Sequence, residues 1–208
     1  MPGKIPLVTR FTVYGIMRPI GAVLSAMHGL GHQRGLNPGD DRVRVLRGLR
    51  YGQRSRAQAI DVYLPRHVPR GARLPTVFFV HGGAWVMCNR AVSASMGRSL
   101  AALGYAVVAP GYRLLPDCKP EEQQHDVQNA LQKTLELAQK DLPLDPDSMI
   151  IMGESAGAHL TARLLQSYPD EAPKPKRPLA GAAVRARAQP LARRQRERDP
   201  AGFEPRTS

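Results

Sequence analysis

Two cysteines, Cys88 and Cys118, are too few in 208 residues for a disulfide-stapled scaffold or a four-cysteine zinc site. They allow at most one bridge, and a reducing compartment is the expected setting, intracellular and by default cytoplasmic. Long apolar runs are also missing. The stretch Pro19 to Gly31 reaches 13 residues, short of the roughly 18 that a bilayer-spanning helix needs. Acids are absent from residues 1–39, which carry Lys4, Arg10, Arg18 and Arg34. Histidine is absent after His159, the six histidines standing at 28, 32, 67, 81, 125 and 159. Only His28 and His32 are close in sequence, with no acid or cysteine near them, so no metal site and no cofactor is expected.

What is present is a globular core with basic flanks. At 42% hydrophobic residues the chain can bury a domain of ordinary size, which excludes wholesale disorder. The formal charge of +13 is uneven: residues 1–75 hold 13 basic and 3 acidic groups, 76–170 hold 7 and 10, and 171–208 hold 10 and 4. Arg185, Arg187, Arg193, Arg194, Arg196 and Arg198 would attract phosphate without regard to sequence. Phe203 is the one aromatic there to stack on a base, so specific nucleic-acid binding is not expected.

Periodicity divides the chain into residues 1–39, 40–168 and 169–208. In the first part Val13, Met17, Ile20, Leu24, Met27 and Leu30 recur every three or four residues opposite Arg10, Arg18, Ser25 and His32, an amphipathic helix interrupted by Pro19. Such a helix packs on the domain or caps its pocket; an acid-poor organelle-targeting segment or a membrane-surface helix has the same pattern. The period changes to two from Val43. Ile60, Val62 and Leu64 alternate with Asp61 and Tyr63, which predicts strands with one solvated face. Thr76–Val80, Tyr105–Ala109 and Met149–Met152 are short continuous apolar runs, as in strands buried on both faces of a parallel sheet. Helical patterns over 91–103, 121–140 and up to about Ser167 separate and follow them, so the fold class is α/β, a doubly wound, mostly parallel sheet. After Tyr168 the pattern stops. Residues 171–208 contain 8 Ala, 6 Pro and 8 Arg, and cannot offset the entropy of ordering themselves.

Two strand ends carry chemistry. Gly153-Glu154-Ser155-Ala156-Gly157 fits the sharp strand-to-helix turn of a nucleophile elbow. Glycines are needed where strand and helix backbones nearly touch, and the turn holds the Ser155 hydroxyl out as a nucleophile. His81-Gly82-Gly83-Ala84-Trp85 follows an earlier buried strand, where backbone amides can meet a developing oxyanion. The amides of Gly82, Gly83 and Ala156 are the candidate donors. His81 braces that loop and Trp85 forms a pocket wall.

These segments, together with Asp61-Val62-Tyr63-Leu64-Pro65 and Tyr112-Arg113-Leu114-Leu115-Pro116 with Asp126 beyond it, resemble the α/β-hydrolase superfamily. The likeness is to its hormone-sensitive-lipase-like carboxylesterases and their formamidase-like and prenylcysteine-methylesterase-like relatives, and it covers roughly residues 58–168. It implies a serine hydrolase that cleaves small-molecule carboxylic esters or similar acyl bonds through an acyl-enzyme. It also implies a triad acid and histidine on loops after later strands. Neither is assignable here. His159, on the same helix as Ser155, reads as a packing residue, His125 as the solvated start of a helix, and Asp126 as a structural acceptor. Asp170, Glu171, Glu197, Asp199 and Glu204 fall in or beside the unpatterned tail. The expectation is therefore that residues 1–170 are the N-terminal part of a hydrolase, that its sheet is incomplete at the C-terminal strands, and that 171–208 is an alternative, disordered C-terminus. Activity of this chain would be impaired, and a non-catalytic product that binds an acyl ligand or a partner protein is the alternative.

Overall fold

A computed structural model of the protein describes residues 7–33, 40–140 and 142–167. Five strands, β1 (Val43–Arg50), β2 (Ala59–Pro65), β3 (Leu74–Val80), β4 (Ala106–Pro110) and β5 (Leu144–Gly153), form one sheet in the order β1-β2-β4-β3-β5. β1 and β2 are antiparallel, as are β2 and β4, while β3 runs parallel to both β4 and β5. The sheet is thus mixed, with its parallel part at the β4-β3-β5 end. Behind the N-terminal helix come α3 (Ala94–Ala102), α4 (Pro120–Lys140) and α5 (Ala156–Gln166).

Alternation along the strands builds two apolar layers, because successive side chains leave opposite faces. Ile60, Val62, Phe78, Val80 and Val108 join Val127, Leu131, Leu160 and Leu164 of α4 and α5 in the larger one. Tyr63, Val77, Val107 and Ala109 join Ala94 and Ala101 of α3 in the smaller. Helices on both faces bury the sheet as expected of a doubly wound fold.

Three local expectations need correction. β2 has no solvated face: Asp61 and Tyr63 are buried along with their apolar neighbours. α3 covers that side, where the bare backbone of Gly97 leaves room for the Tyr63 ring, and Asp61 is held by Arg90 Nε at 2.8 Å and by the Gly48 amide at 2.8 Å. β5 is not buried on both faces, although its edge position is the one expected of a sheet incomplete at its C-terminal strands. It forms one edge of the sheet, and Met152 on it is exposed.

The N-terminal helix departs from expectation as well, running as α1 (Leu7–Arg10), a wide π segment (Phe11–Met17) and α2 (Arg18–Gln33). The π segment ends just before Pro19, whose missing N–H interrupts the regular hydrogen-bond ladder. Val13 and Ser25 face the domain, whereas Ile20, Leu24 and Met27 of the expected packing stripe are exposed. Residues 34–39 and the tail from Tyr168 lie outside the described residues, and with them the expected disorder of 169–208.

Candidate active site

β5 delivers Ser155 to the surface in a backbone conformation that serine rarely adopts, φ 50° and ψ −115°. Such a conformation stores roughly 1–3 kcal/mol and persists only where its surroundings enforce it. Here the enforcement is backbone contact. A Cβ on Gly153 would stand 2.5 Å from the Gly157 carbonyl carbon, and a Cβ on Gly157 would overlap the Val80 carbonyl oxygen and lie 2.6 Å from that of His81. The Glu154 amide donates to the Val80 carbonyl at 3.1 Å and the Gly157 amide to the Glu154 carbonyl at 2.8 Å. The start of α5 is thereby seated on the end of β3. Ser155 and Glu154 remain exposed while Ala156 is buried.

The oxyanion loop follows from the end of β3. A Cβ on Gly82 would lie 2.9 Å from the Glu154 carbonyl oxygen and 3.4 Å from the Ser155 Cβ, so loop and elbow touch through a position only glycine can fill. Gly83 takes φ 123°, and Ala84 and Trp85 follow at φ 48° and 61°. The Gly83 carbonyl accepts from the amides of Val86 at 3.1 Å and Met87 at 3.0 Å. Among the described residues no backbone carbonyl accepts from the amides of Gly82 or Gly83. Ala156 is the first residue of α5, where helix amides lack partners within the helix. Of the residues singled out as donors, Gly82 lies against Ser155 and Ala156 follows it at the start of α5, while Gly83 packs against Met87 and Cys88.

His81 packs against the loop it opens. Its ring is fully buried and stacks on Tyr112 with centroids 4.5 Å apart. Nδ1 lies 2.7 Å from the Gly82 carbonyl oxygen, so the neutral ring donates to the loop it supports. The Tyr112 hydroxyl donates to the His81 carbonyl at 2.9 Å. Burial pushes the His81 pKa down to about 4, against a weaker upward effect of the Gly82 hydrogen bond. The unfolded chain therefore takes up this proton first. The His81 contribution to stability is fully present above about pH 6.5 and is lost as pH falls toward 4, a change of about 3 kcal/mol at 1.36 kcal/mol per pKa unit. Urea unfolding between pH 4 and 7 should show that slope, and His81→Asn, which keeps a donor for the Gly82 carbonyl, should flatten it. An unchanged slope in the variant would remove His81 as its source.

Neither the His159 nor the His125 side chain hydrogen-bonds the Ser155 hydroxyl. His159 is exposed and meets the Trp85 ring edge-on, with centroids 5.5 Å apart. Its amide donates to the Ser155 carbonyl at 3.1 Å, one helical turn back. Among the described residues no side chain hydrogen-bonds the Ser155 hydroxyl. His125 is exposed on α4. Asp126 beside it is buried and accepts from Gln58 Nε2, the Arg113 amide, Arg113 Nε and Arg113 Nη2. No cluster among the described residues could hold a metal ion.

Several supports were not visible in the sequence. Gln123 Nε2, on fully buried Gln123, donates to the carbonyls of Trp85 and Arg113 at 2.8 Å each, and the Leu115 amide donates to the Trp85 carbonyl at 2.9 Å. The signal available was an uncharged polar pair, Gln123-Gln124, one helical step before the apolar stripe of α4 begins.

A sequence model of the BD-FAE family matches residues 60–172. The chain belongs to the BD-FAE family. Among curated relatives of this BD-FAE protein, the Oryza sativa subsp. japonica protein named probable isoprenylcysteine alpha-carbonyl methylesterase ICME is 35% identical over 118 residues, 57% of this chain and 28% of the relative. Esterase LipQ of Mycobacterium tuberculosis is 32% identical over 139 residues, covering 66% of this chain and 33% of LipQ. An inhibited esterase B from Lactobacillus rhamnosis superposes with a TM-score of 0.55 at 29% identity, over 68% of this chain and 48% of that one. The fold is that of α/β-hydrolase esterases, and this BD-FAE chain is a relative of carboxylesterase-type hydrolases. It spans about a third or less of these two curated relatives and about half of the solved esterase.

Proposed function

We propose that the chain holds the nucleophile and the oxyanion donors of a serine carboxylesterase that acts on small-molecule esters. The observation that carries this reading is the φ 50° backbone of Ser155, locked against the Gly82 loop. In the reaction the Ser155 oxygen bonds to the acyl carbon while the carbonyl oxygen takes the negative charge, which the amides of Gly82, Gly83 and Ala156 meet. The serine proton passes to a base and then to the departing alcohol, and water cleaves the acyl-enzyme. Among the described residues no side chain hydrogen-bonds the Ser155 hydroxyl to serve as that base, and no histidine follows His159 in the sequence. Oxyanion donors alone leave a rate above water but several powers of ten below that of a complete triad. The free Ser155 hydroxyl favours a second reading, a non-catalytic binder of an acyl ligand or a partner protein.

Intact-mass spectrometry after exposure to a fluorophosphonate separates them. The serine oxygen displaces fluoride, so a single adduct that forms slowly and disappears in Ser155→Ala is expected. Labelling at the rate of a complete serine hydrolase would overturn the impairment. A folded chain that never labels would favour the binder. Ser155→Gly should also lose the adduct while gaining about 1–2 kcal/mol, because glycine takes positive φ without strain. Urea midpoints of the two variants measure that difference.

A further inference from the structure

The N-terminal helix holds on to the domain by its small and polar residues and turns its large apolar ones outward. A Cβ on Gly21 would stand 2.5 Å from the Cys88 amide nitrogen and 2.8 Å from the Met87 Cβ, so α2 touches the chain just after the oxyanion loop. Arg18 reaches Asp117 at 2.6 Å and the Leu115 carbonyl at 3.2 Å. Val13 and Ser25 complete this seam and are buried. On the neighbouring face Ile16, Ile20, Val23, Leu24 and Met27 recur every three or four residues and are 47%, 51%, 58%, 39% and 64% exposed.

We propose that this outward stripe docks on an anionic phospholipid surface, with the helix lying in the plane of the headgroups. Aliphatic residues left in water add nothing to folding where they stand, but immersed at the headgroup boundary they gain what core residues gain. No helix among the described residues is long and apolar enough to cross a membrane, which leaves the in-plane arrangement. The charge is complementary: residues 1–39 hold no acid and three basic groups besides Arg18, which is paired with Asp117, and residues 1–75 hold 13 basic groups against 3 acidic. A negative leaflet attracts such a segment by about 1 kcal/mol for each basic group near the surface.

Seating on Met87 and Cys88 also places the mouth of the Ser155 site beside the lipid. This last consequence rests on the esterase reading, and it makes an apolar ester drawn from the bilayer the fitting substrate. The docking itself does not depend on that reading, and Ser155→Ala should bind vesicles as the parent does.

Flotation of the full 208-residue chain with phosphatidylcholine vesicles, with and without 30 mol% (about one lipid in three) phosphatidylserine, tests it. Binding should require phosphatidylserine and weaken in roughly 0.5 M salt, where the Debye length falls to less than half its value in dilute buffer. The variant Ile20→Ser/Val23→Ser/Met27→Ser, checked for folding by circular dichroism, should bind at least about tenfold less. A second variant, Lys4→Glu/Arg10→Glu, should lose the phosphatidylserine requirement together with most of the binding. Equal binding by the serine variant would place the contact elsewhere, for instance on the arginines after Val184, and overturn the proposal. So would absence of vesicle binding by a parent chain that dimerises in light scattering while the serine variant stays monomeric, since that assigns the stripe to a second copy.

Discussion

Asp126→Ala is expected to lower the stability of the folded chain by about 3–5 kcal/mol, the scale for stripping one partner from a buried ion pair. The carboxylate is 1% exposed, and each of its oxygens has two donors. Oδ2 takes the Arg113 amide and Nε at 2.9 Å each, and Oδ1 takes Arg113 Nη2 at 2.9 Å and Gln58 Nε2 at 2.8 Å. Alanine leaves three of the four without an acceptor and Arg113 Nη2 with only the Glu122 carbonyl at 3.4 Å. The Glu122 carboxylate, 2.8 Å from Arg113 Nη1, does not reach Nε or the Arg113 amide. Asparagine is no conservative substitute, because its amide nitrogen would face two donors in place of an oxygen. The expected order is therefore wild type, then Asp126→Asn, then Asp126→Ala. Chemical unfolding measures it, and a loss below about 1 kcal/mol in the alanine variant would show that water replaces the carboxylate. Arg113→Met added to Asp126→Ala should recover part of the loss, since it removes the uncompensated charge.

That network shows where sequence reading runs out. Asp126 was legible as a structural acceptor because it sits at the start of a strongly periodic helix with no strand end to present it. Its partners were not. Gln58 lies 68 residues away, and nothing local marks a glutamine as the ligand of a distant carboxylate. The same limit applies to β2, where Asp61 and Tyr63 look like a solvated face until α3 is known to lie over them. Period two tells which residues share a face, and only the tertiary fold tells whether that face meets water.

The N-terminal helix fails in the same way with a different consequence. Its three-four spacing correctly grouped Ile20, Leu24 and Met27, but grouping does not assign the group to the core. The outcome was decided by Gly21 and Arg18, one able to approach a backbone closely and the other able to satisfy the Leu115 carbonyl and Asp117. By contrast the strand-to-helix turn at Ser155 and the close approach of the glycines beside it were legible. Their chemistry depends on glycines at fixed offsets from short apolar strands, and each strand ends within a residue or two of its expected place. Strand order was not legible, since the placement of β4 between β2 and β3 follows from long-range pairing.

Gly157→Ala is expected to destabilise the chain by about 3 kcal/mol or more, at or beyond the top of the usual range for an overpacked site. The atoms that the new methyl would meet are the carbonyl oxygens of Val80 and His81 and the Val80 carbonyl carbon at 2.7 Å. All are backbone, so no rotamer change can open the space. Val80 is fully buried in the sheet, with Phe78 two residues before it in the same core layer, which ties relief of the clash to movement of β3 against β5. Any such movement separates Gly82 from Ser155, so the fluorophosphonate adduct should vanish even in the fraction that folds. Gly71→Ala is the comparison that isolates the cause. Gly71 has φ 79°, and a methyl added there would have nothing within 4 Å, so alanine bears conformational strain alone, about 1 kcal/mol. If the two variants had equal unfolding midpoints, close backbone contact would not be what holds the elbow in place. A larger loss at Gly157, accompanied by loss of labelling, makes the contact between β3 and the first turn of α5 the structural origin of the exposed serine.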